Sequence, residues 1–230
     1  MSETVYTNHG NTESIDISEI YPESKGLNAP YVYDQDVVLD FINTVFDNGI
    51  PDGATPLVWA SKYNGKIGVP LQMGVAGLER KMEEAKAHGL YFNTCSFYPE
   101  NNRLNHKHKS FAALHVIVAD DVGTKVNGQE LLDRNLTPTY IIESSEGNFQ
   151  YGYVLDEAIT NLAHASAAVE SFKCAGITDE GGVMAGKIVR LPGGINGKKI
   201  DDKESFNVRL VSDDGPIYTI QTLMERIGLT

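Results

Sequence analysis

Apolar and polar positions along the chain change period several times, and each change predicts an element. Residues 1–30 are rich in Ser, Thr, Asn and Glu with few clustered apolar positions, the composition of a mobile N-terminal arm. From Asp34 as N-cap, Val37, Val38, Phe41, Ile42, Val45 and Phe46 recur at helical spacing until Gly49 and Pro51 close the element. A short strand at Leu57 to Ala60, a helix from about Leu78 to His88 stopped by Gly89, and a strand from Leu90 to Phe97 follow. They form an N-terminal α/β layer over residues 31–110 of one domain spanning 31–230.

The middle of the chain is more regular. The pattern predicts a strand at 112–119, a short helix at 128–134, strands at 138–143 and 149–155, a helix at 156–173 and a strand at 186–190. The turn Ser145-Glu-Gly-Asn148 between two apolar runs marks a hairpin. This β-α-β-β-α-β order is that of an α+β, ferredoxin-like or RNA-recognition-motif-like antiparallel sheet, with both helices on one face and the other face open. The core covers 111–212, and a last strand at 206–211 is followed by a C-terminal segment, 213–230, with a helix from Ile217 to Arg226. In that topology the first and third strands are antiparallel neighbours, so Asp120-Asp121 meets Asn148 to Gln150. The fourth strand is expected to run antiparallel to the first, which brings Asp179 to the same edge but puts Arg190 at the far end unless the Pro-Gly-Gly bend returns it.

Composition narrows the class. With 230 residues, 41% of them hydrophobic, the chain supports one sizeable core. It has no apolar run long enough to span a bilayer and no leader pattern, so a cytoplasmic location without membrane partners is expected. Cys95 and Cys174 fit neither a disulfide framework nor a zinc pattern, and buried free thiols are expected. The formal net charge of −12 argues against strong non-specific DNA affinity, which comes from Lys and Arg displacing counterions. Any nucleic acid must be gripped locally, and Arg103, Lys107 and Lys109 in Arg103-Leu-Asn-His-Lys-His-Lys109 form the candidate patch.

The candidate chemistry sits at strand ends. Leu114-His-Val-Ile-Val-Ala-Asp-Asp-Val-Gly123 is a β-branched run ending in two carboxylates, hard oxygen ligands suited to Mg²⁺ or Mn²⁺. Side chains alternate along a strand, so with Leu114, Val116 and Val118 facing the helices, Asp121 is the expected inward ligand and Asp120 its assistant. Ser144, Ser145, Asn148 and Gln150 offer hydroxyl and amide groups at the hairpin mouth. Arg190, Asn196 and Lys198 combine cations and an amide around a bend suited to a triphosphate.

Taken in order, these segments resemble the RepB-like DNA primase domain of plasmids and phages, a branch of the archaeo-eukaryotic primase superfamily. The likeness covers roughly 90–212 and rests on Asp120-Asp121, Glu143 to Gln150 and Arg190 to Lys198. It implies primer synthesis from nucleoside triphosphates on a single-stranded DNA template, with a replicative helicase as a possible partner. Metals would be held by Asp120, Asp121 and Asp179, the nucleotide by Ser145, Asn148, Gln150, Arg190, Asn196 and Lys198, and the template by Arg103, Lys107 and Lys109. The chain departs from the wider superfamily in its adjacent rather than alternate acids, and in Gln150 where a His is usual. The alternative is a silent module that binds single-stranded nucleic acid or a replisome partner.

Overall fold

The computed structural model describes residues 35–61, 71–72, 80, 89–178, 186–196 and 206–229. The expected arm over 1–30, all but Arg80 of the expected helix over 78–88, and both Asp179 and Lys198 lie outside them.

One antiparallel sheet organises the chain. In chain order the elements are α1 (Gln35–Phe46), β1 (Thr55–Ser61), β2 (Leu71–Gln72), β3 (Gly89–Phe97), β4 (Phe111–Val122), α2 (Gly128–Asp133), β5 (Tyr140–Ser145) and β6 (Asn148–Ile159). They continue with α3 (Leu162–Cys174), β7 (Ile188–Arg190), β8 (Ile195–Asn196), β9 (Phe206–Asn207), β10 (Arg209–Ser212) and α4 (Ile220–Arg226). The main sheet runs β10-β5-β6-β4-β3-β1-β2, and β7 joins it on β3. The N-terminal strands therefore extend the central sheet.

The β4, β5 and β6 neighbours are those the α+β reading expects, but the fourth strand is not. β7 pairs antiparallel with β3, through Tyr91↔Arg190, Phe92↔Val189 and Asn93↔Ile188. β3 is itself antiparallel to β4, through Cys95↔Leu114 and Phe97↔Phe111. β7 consequently runs in the same direction as β4, and its C-terminal residue Arg190 reaches the end of the sheet where Asp120 lies. The reversal follows from β3 occupying the edge of β4 that a four-stranded motif leaves for its last strand.

Both faces are covered along the middle of the strands. Leu114, Ile117 and Ala119 pack with Tyr153, Leu155, Ala165 and Phe172 on the α3 side. Val116 and Val118 pack with Val38, Phe41, Ile42, Val45 and Phe46 of α1. Those five α1 side chains are at most 6% exposed. Burying them contributes roughly 10 kcal/mol before entropy is counted, at about 2 kcal/mol each. The face expected to be open is thus occupied by α1, whose apolar stripe from Val38 to Phe46 buries against it.

The expected alternation also slips. Leu114 pairs with Ile159 but Val116 with Val154, so β6 carries extra residues opposite His115. His115 turns to the α1 side, where its ring lies 4.9 Å from that of Phe46. Asn48, just past α1, fills the broken ladder by donating from Nδ2 to the carbonyls of His115 and Leu155, both at 2.9 Å. From Val116 onward the series facing α1 is Val116, Val118 and Asp120, which corrects the expectation that Asp121 continues the inward face.

Two boundaries moved for local reasons. β6 runs on to Ile159, and α3 starts at Leu162 because the Asn161 side chain accepts from the backbone of Ala163 and His164. The last helix starts at Ile220 under a Thr219 cap, since Tyr218 is engaged by β6 through backbone bonds to Val154 and Asp156.

Candidate functional site

The site is built on a bulge at the mouth of β4. Ala119 pairs with Tyr151 and Val122 with Phe149, so Asp120 and Asp121 together oppose the single residue Gln150. Asp121 adopts a left-handed φ of 59° and Gly123 one of 88°, which an Asp and a Gly tolerate best. The bulge relaxes strict alternation and brings adjacent carboxylates to the same strand end. A Cβ on Gly123 would lie 2.6 Å from the Gly147 carbonyl oxygen, so the β4 turn and the β5–β6 turn pack directly.

Each carboxylate is held by one amide and one lysine. Gln150 Nε2 donates to Asp120 Oδ1 at 3.0 Å, and Lys187 Nζ lies 3.1 Å from Asp120 Oδ2. Asn148 Nδ2 donates to Asp121 Oδ1 at 2.9 Å, and Lys125 Nζ to Asp121 Oδ2 at 2.5 Å. Partial burial pushes the Asp121 carboxyl up, but the bonds from Lys125 and Asn148 and the Lys125 and Lys187 charges outweigh it and hold it below the ordinary range. The Asp120 backbone N–H donates to the Thr178 hydroxyl at 3.3 Å, so the segment leading to Asp179 starts against Asp120.

A second chain of contacts reaches the site from β7. Gln150, 4% exposed, accepts the Arg190 backbone N–H on Oε1 at 3.1 Å while its amide holds Asp120. The Arg190 guanidinium lies 4.4 Å from the centre of the Tyr91 ring and donates to Asn196 Oδ1 at 2.8 Å. Burial pulls its pKa down, against Tyr91 and Asp120, which favour the charged form. Asn196 donates in turn to the Ser144 carbonyl at 2.8 Å. The Pro192-Gly193-Gly194 bend carries the chain from β3 toward β5, and Gly194 is required there because a Cβ would sit 2.5 Å from Leu90 N.

The hairpin is clamped from below. Glu143, 3% exposed, accepts Gly147 N–H on Oε1 at 3.1 Å and forms an ion pair with Arg209 of β10 through Oε2. Ser144 Oγ donates to the Asn148 carbonyl at 3.1 Å. Ser145 pairs with Asn148 beside the Glu146-Gly147 turn and is half-buried. The Tyr140 ring lies over Gly152, and its fully buried hydroxyl has no partner among the described residues.

Asp120, Asp121, Asn148, Gln150, Arg190 and Asn196 are therefore one constellation, with Ser145 at its rim. The basic loop is not part of it. Arg103, Lys107 and Lys109 are exposed in the connection between the end of β3 and the start of β4, the opposite end of β4 from the acids. The path along β4 between them is roughly 30 Å at ordinary strand rise. Lys109 pairs with Glu100, and His106 packs edge-on against Trp59.

Sequence reasoning passed over Lys187, Thr178, Tyr91 and Arg209. No motif marks them, since a lone lysine ahead of the apolar pair Ile188-Val189 reads as a strand flank. Of the two cysteines expected to be buried, Cys95 is and Cys174 is exposed.

The donor set suits a hard cation in kind. Asp120 and Asp121 offer carboxylate oxygens, and Asn148 Oδ1, buried beside Asp121, meets no donor among the described residues. Among the described residues no group of three or more His, Cys, Asp and Glu converges on a point.

This sheet, with its acids at the mouth of a central strand, has the fold of solved primase and primase-polymerase domains. The primase-polymerase domain of cyanophage S-2L superimposes with a TM-score of 0.61 at 10% identity, covering 86% of this chain and 100% of that domain. The catalytic domain of primase RepB′ in complex with initiator DNA gives 0.52 at 16% identity, covering 83% and 93%. Primase RepB′ itself gives 0.53 at 17%, with 83% of this chain and 62% of that one covered. No family model and no curated protein matches the sequence. No helix among the described residues is long and apolar enough to cross a membrane.

Proposed function

We propose that this protein is a primase-type nucleotidyltransferase that synthesises short primers on a single-stranded DNA template in phage or plasmid replication. The observation that carries the reading is the bulge pairing Asp120 and Asp121 against Gln150, on a primase-type sheet, with Arg190 drawn to the same end.

Asp120 and Asp121 would hold Mg²⁺ or Mn²⁺, joined by Asp179, whose neighbour Thr178 bonds the Asp120 backbone. The ions would neutralise the triphosphate and favour in-line attack by a 3′-hydroxyl. Gln150 and Asn148 keep the two carboxylates aimed, which is the preorganisation such chemistry needs. Arg190 and Lys198 would bind the phosphates, and Ser145 and Asn196 the nucleotide. Arg103, Lys107 and Lys109 would contact template phosphates at the other end of β4, a role consistent with the DNA-bound state of the RepB′ neighbour. A replicative helicase fits as a partner that exposes the template.

The test is primer synthesis on single-stranded DNA with Mg²⁺ or Mn²⁺, comparing wild type with Asp120→Ala, Asp121→Ala and Asp179→Ala. Loss in the variants is expected. Primers made equally well by all of them would remove the assignment.

One observation favours a second reading, a silent module that binds single-stranded nucleic acid: both carboxylates are already matched by lysines. Calorimetry separates the two. The enzyme binds a triphosphate more tightly when metal is present, and the module does not.

A further inference from the structure

Asp120 and Asp121 face three cations, Lys125, Lys187 and Arg190. Among the described residues three cations stand beside these two carboxylates, an arrangement that favours a metal arriving with a triphosphate over a bare divalent ion. Of the three cations, Lys187 is the one on Asp120 itself.

The two oxygens of Asp120 are not equivalent. Oδ1 accepts from Gln150 Nε2 and from the Asp121 backbone N–H, both at 3.0 Å. Oδ2 meets the Lys187 ammonium at 3.1 Å, in a pair whose side chains are only 22% and 14% exposed. A metal on Asp120 must take Oδ2 and must share its charge with that ammonium. A lysine ammonium is a compact point charge on a flexible stem, so it can reorient while its backbone stays in place. That backbone is anchored separately, by Thr94 N–H to the Lys187 carbonyl at 3.0 Å and Lys187 N–H to the Thr94 hydroxyl at 3.1 Å.

We propose that Lys187 is a substrate-binding residue that guards the metal site: it occupies Asp120 Oδ2 until a metal–triphosphate complex arrives, and then swings onto the phosphate oxygens as the metal takes its place. Bare metal is thereby kept off, and metal and nucleotide load together. This rests on the primase reading and adds an order of binding to it.

The experiment measures binding of Mn²⁺ alone, and of dATP at saturating Mn²⁺, to the full chain by calorimetry, with bound Mn²⁺ followed by electron spin resonance. Wild type, Lys187→Met, Asp120→Asn and the double variant are compared. Lys187→Met keeps the Thr94 contacts, so it should fold cooperatively, with a thermal transition lowered only by the loss of the ion pair. Bare Mn²⁺ should bind it roughly tenfold more tightly, the equilibrium equivalent of one charge-assisted hydrogen bond removed from the competing state. Its dATP affinity should fall roughly tenfold for the same reason. In the Asp120→Asn background, Lys187→Met should leave Mn²⁺ binding unchanged. Equal Mn²⁺ affinity in wild type and Lys187→Met, or undiminished dATP affinity, overturns the guarding role. If Asp120-dependent Mn²⁺–dATP binding persists in that case, the primase reading survives alone. If none of the proteins binds Mn²⁺ or Mn²⁺–dATP, both are overturned.

Discussion

Replacing Gln150 tests whether one amide joins the two halves of the site. In Gln150→Leu two bonds are lost: the 3.0 Å contact to Asp120, and the 3.1 Å contact that satisfies the Arg190 N–H. The first is a hydrogen bond to a charged group, about 1.5 kcal/mol or more, and the second leaves a buried donor unpaired at about 1–3 kcal/mol. A loss of about 3 kcal/mol follows, since leucine is close to glutamine in volume and adds little packing change of its own. In urea, at about 2–3 kcal/mol per molar for a chain of this size, the midpoint should fall by about 1–1.5 M. Gln150→Glu is the companion variant. It keeps the acceptor for Arg190 but sets a second carboxylate against Asp120, so one of the pair titrates well above the ordinary carboxylate range. Its folded pKa is then raised above the unfolded value, and the destabilisation, full at neutral pH, must fade as the pH drops through that raised pKa. Equilibrium denaturation at several pH values reads both variants. A leucine variant that loses less than about 1 kcal/mol, or a glutamate variant with no recovery in acid, would refute the bridging role.

Other expectations follow from the same geometry. His115 is buried, its Nδ1–H donating to Asn48 Oδ1 at 2.6 Å and its Nε2 accepting from the Ser96 hydroxyl at 2.8 Å, and burial pushes its pKa down to about 4. Because the unfolded imidazole takes a proton near pH 6.5, stability is full above that value and declines as pH falls toward 4, by about 3 kcal/mol, and this part of the pH profile should be missing in His115→Gln. Glu143→Gln removes the charge that pairs with Arg209 and should cost about 3 kcal/mol in chemical denaturation; restoration by Arg209→Met in the same chain would show that loss of this ion pair is the cause. Gly152→Ala would put a methyl 2.0 Å from the Tyr140 ring and should abolish cooperative unfolding measured by near-UV circular dichroism. Thiol titration should find only Cys174 reactive in the native protein and both cysteines after denaturation, since burial raises the Cys95 thiol.

Much of the site was readable before folding was considered. The β-branched run to Asp120-Asp121, the hairpin at Glu146-Gly147 and the antiparallel meeting of Asp120 with Gln150 are consequences of local periodicity and turn chemistry. Arg190 was the exception: adjacency in a four-stranded motif puts it at the wrong end, and its true place depends on β3, an element 90 residues earlier in the chain, having taken the edge beside β4. Lys187 shares that dependence, since it reaches Asp120 only because β7 lies along β3. The phase slip at His115 was equally illegible, because its cause is the extra length of β6 and the Asn48 side chain that repairs the gap.

Element types, the acidic strand mouth and the hairpin are written in stretches of a dozen residues, where side-chain spacing and turn propensity act on their own neighbours. Which acid faces inward, which cations answer it and what covers each sheet face depend on a one-residue bulge and on competition among strands and α1 for the same surfaces. Those outcomes are decided by burial and pairing between segments far apart in the chain, so only the assembled protein contains them.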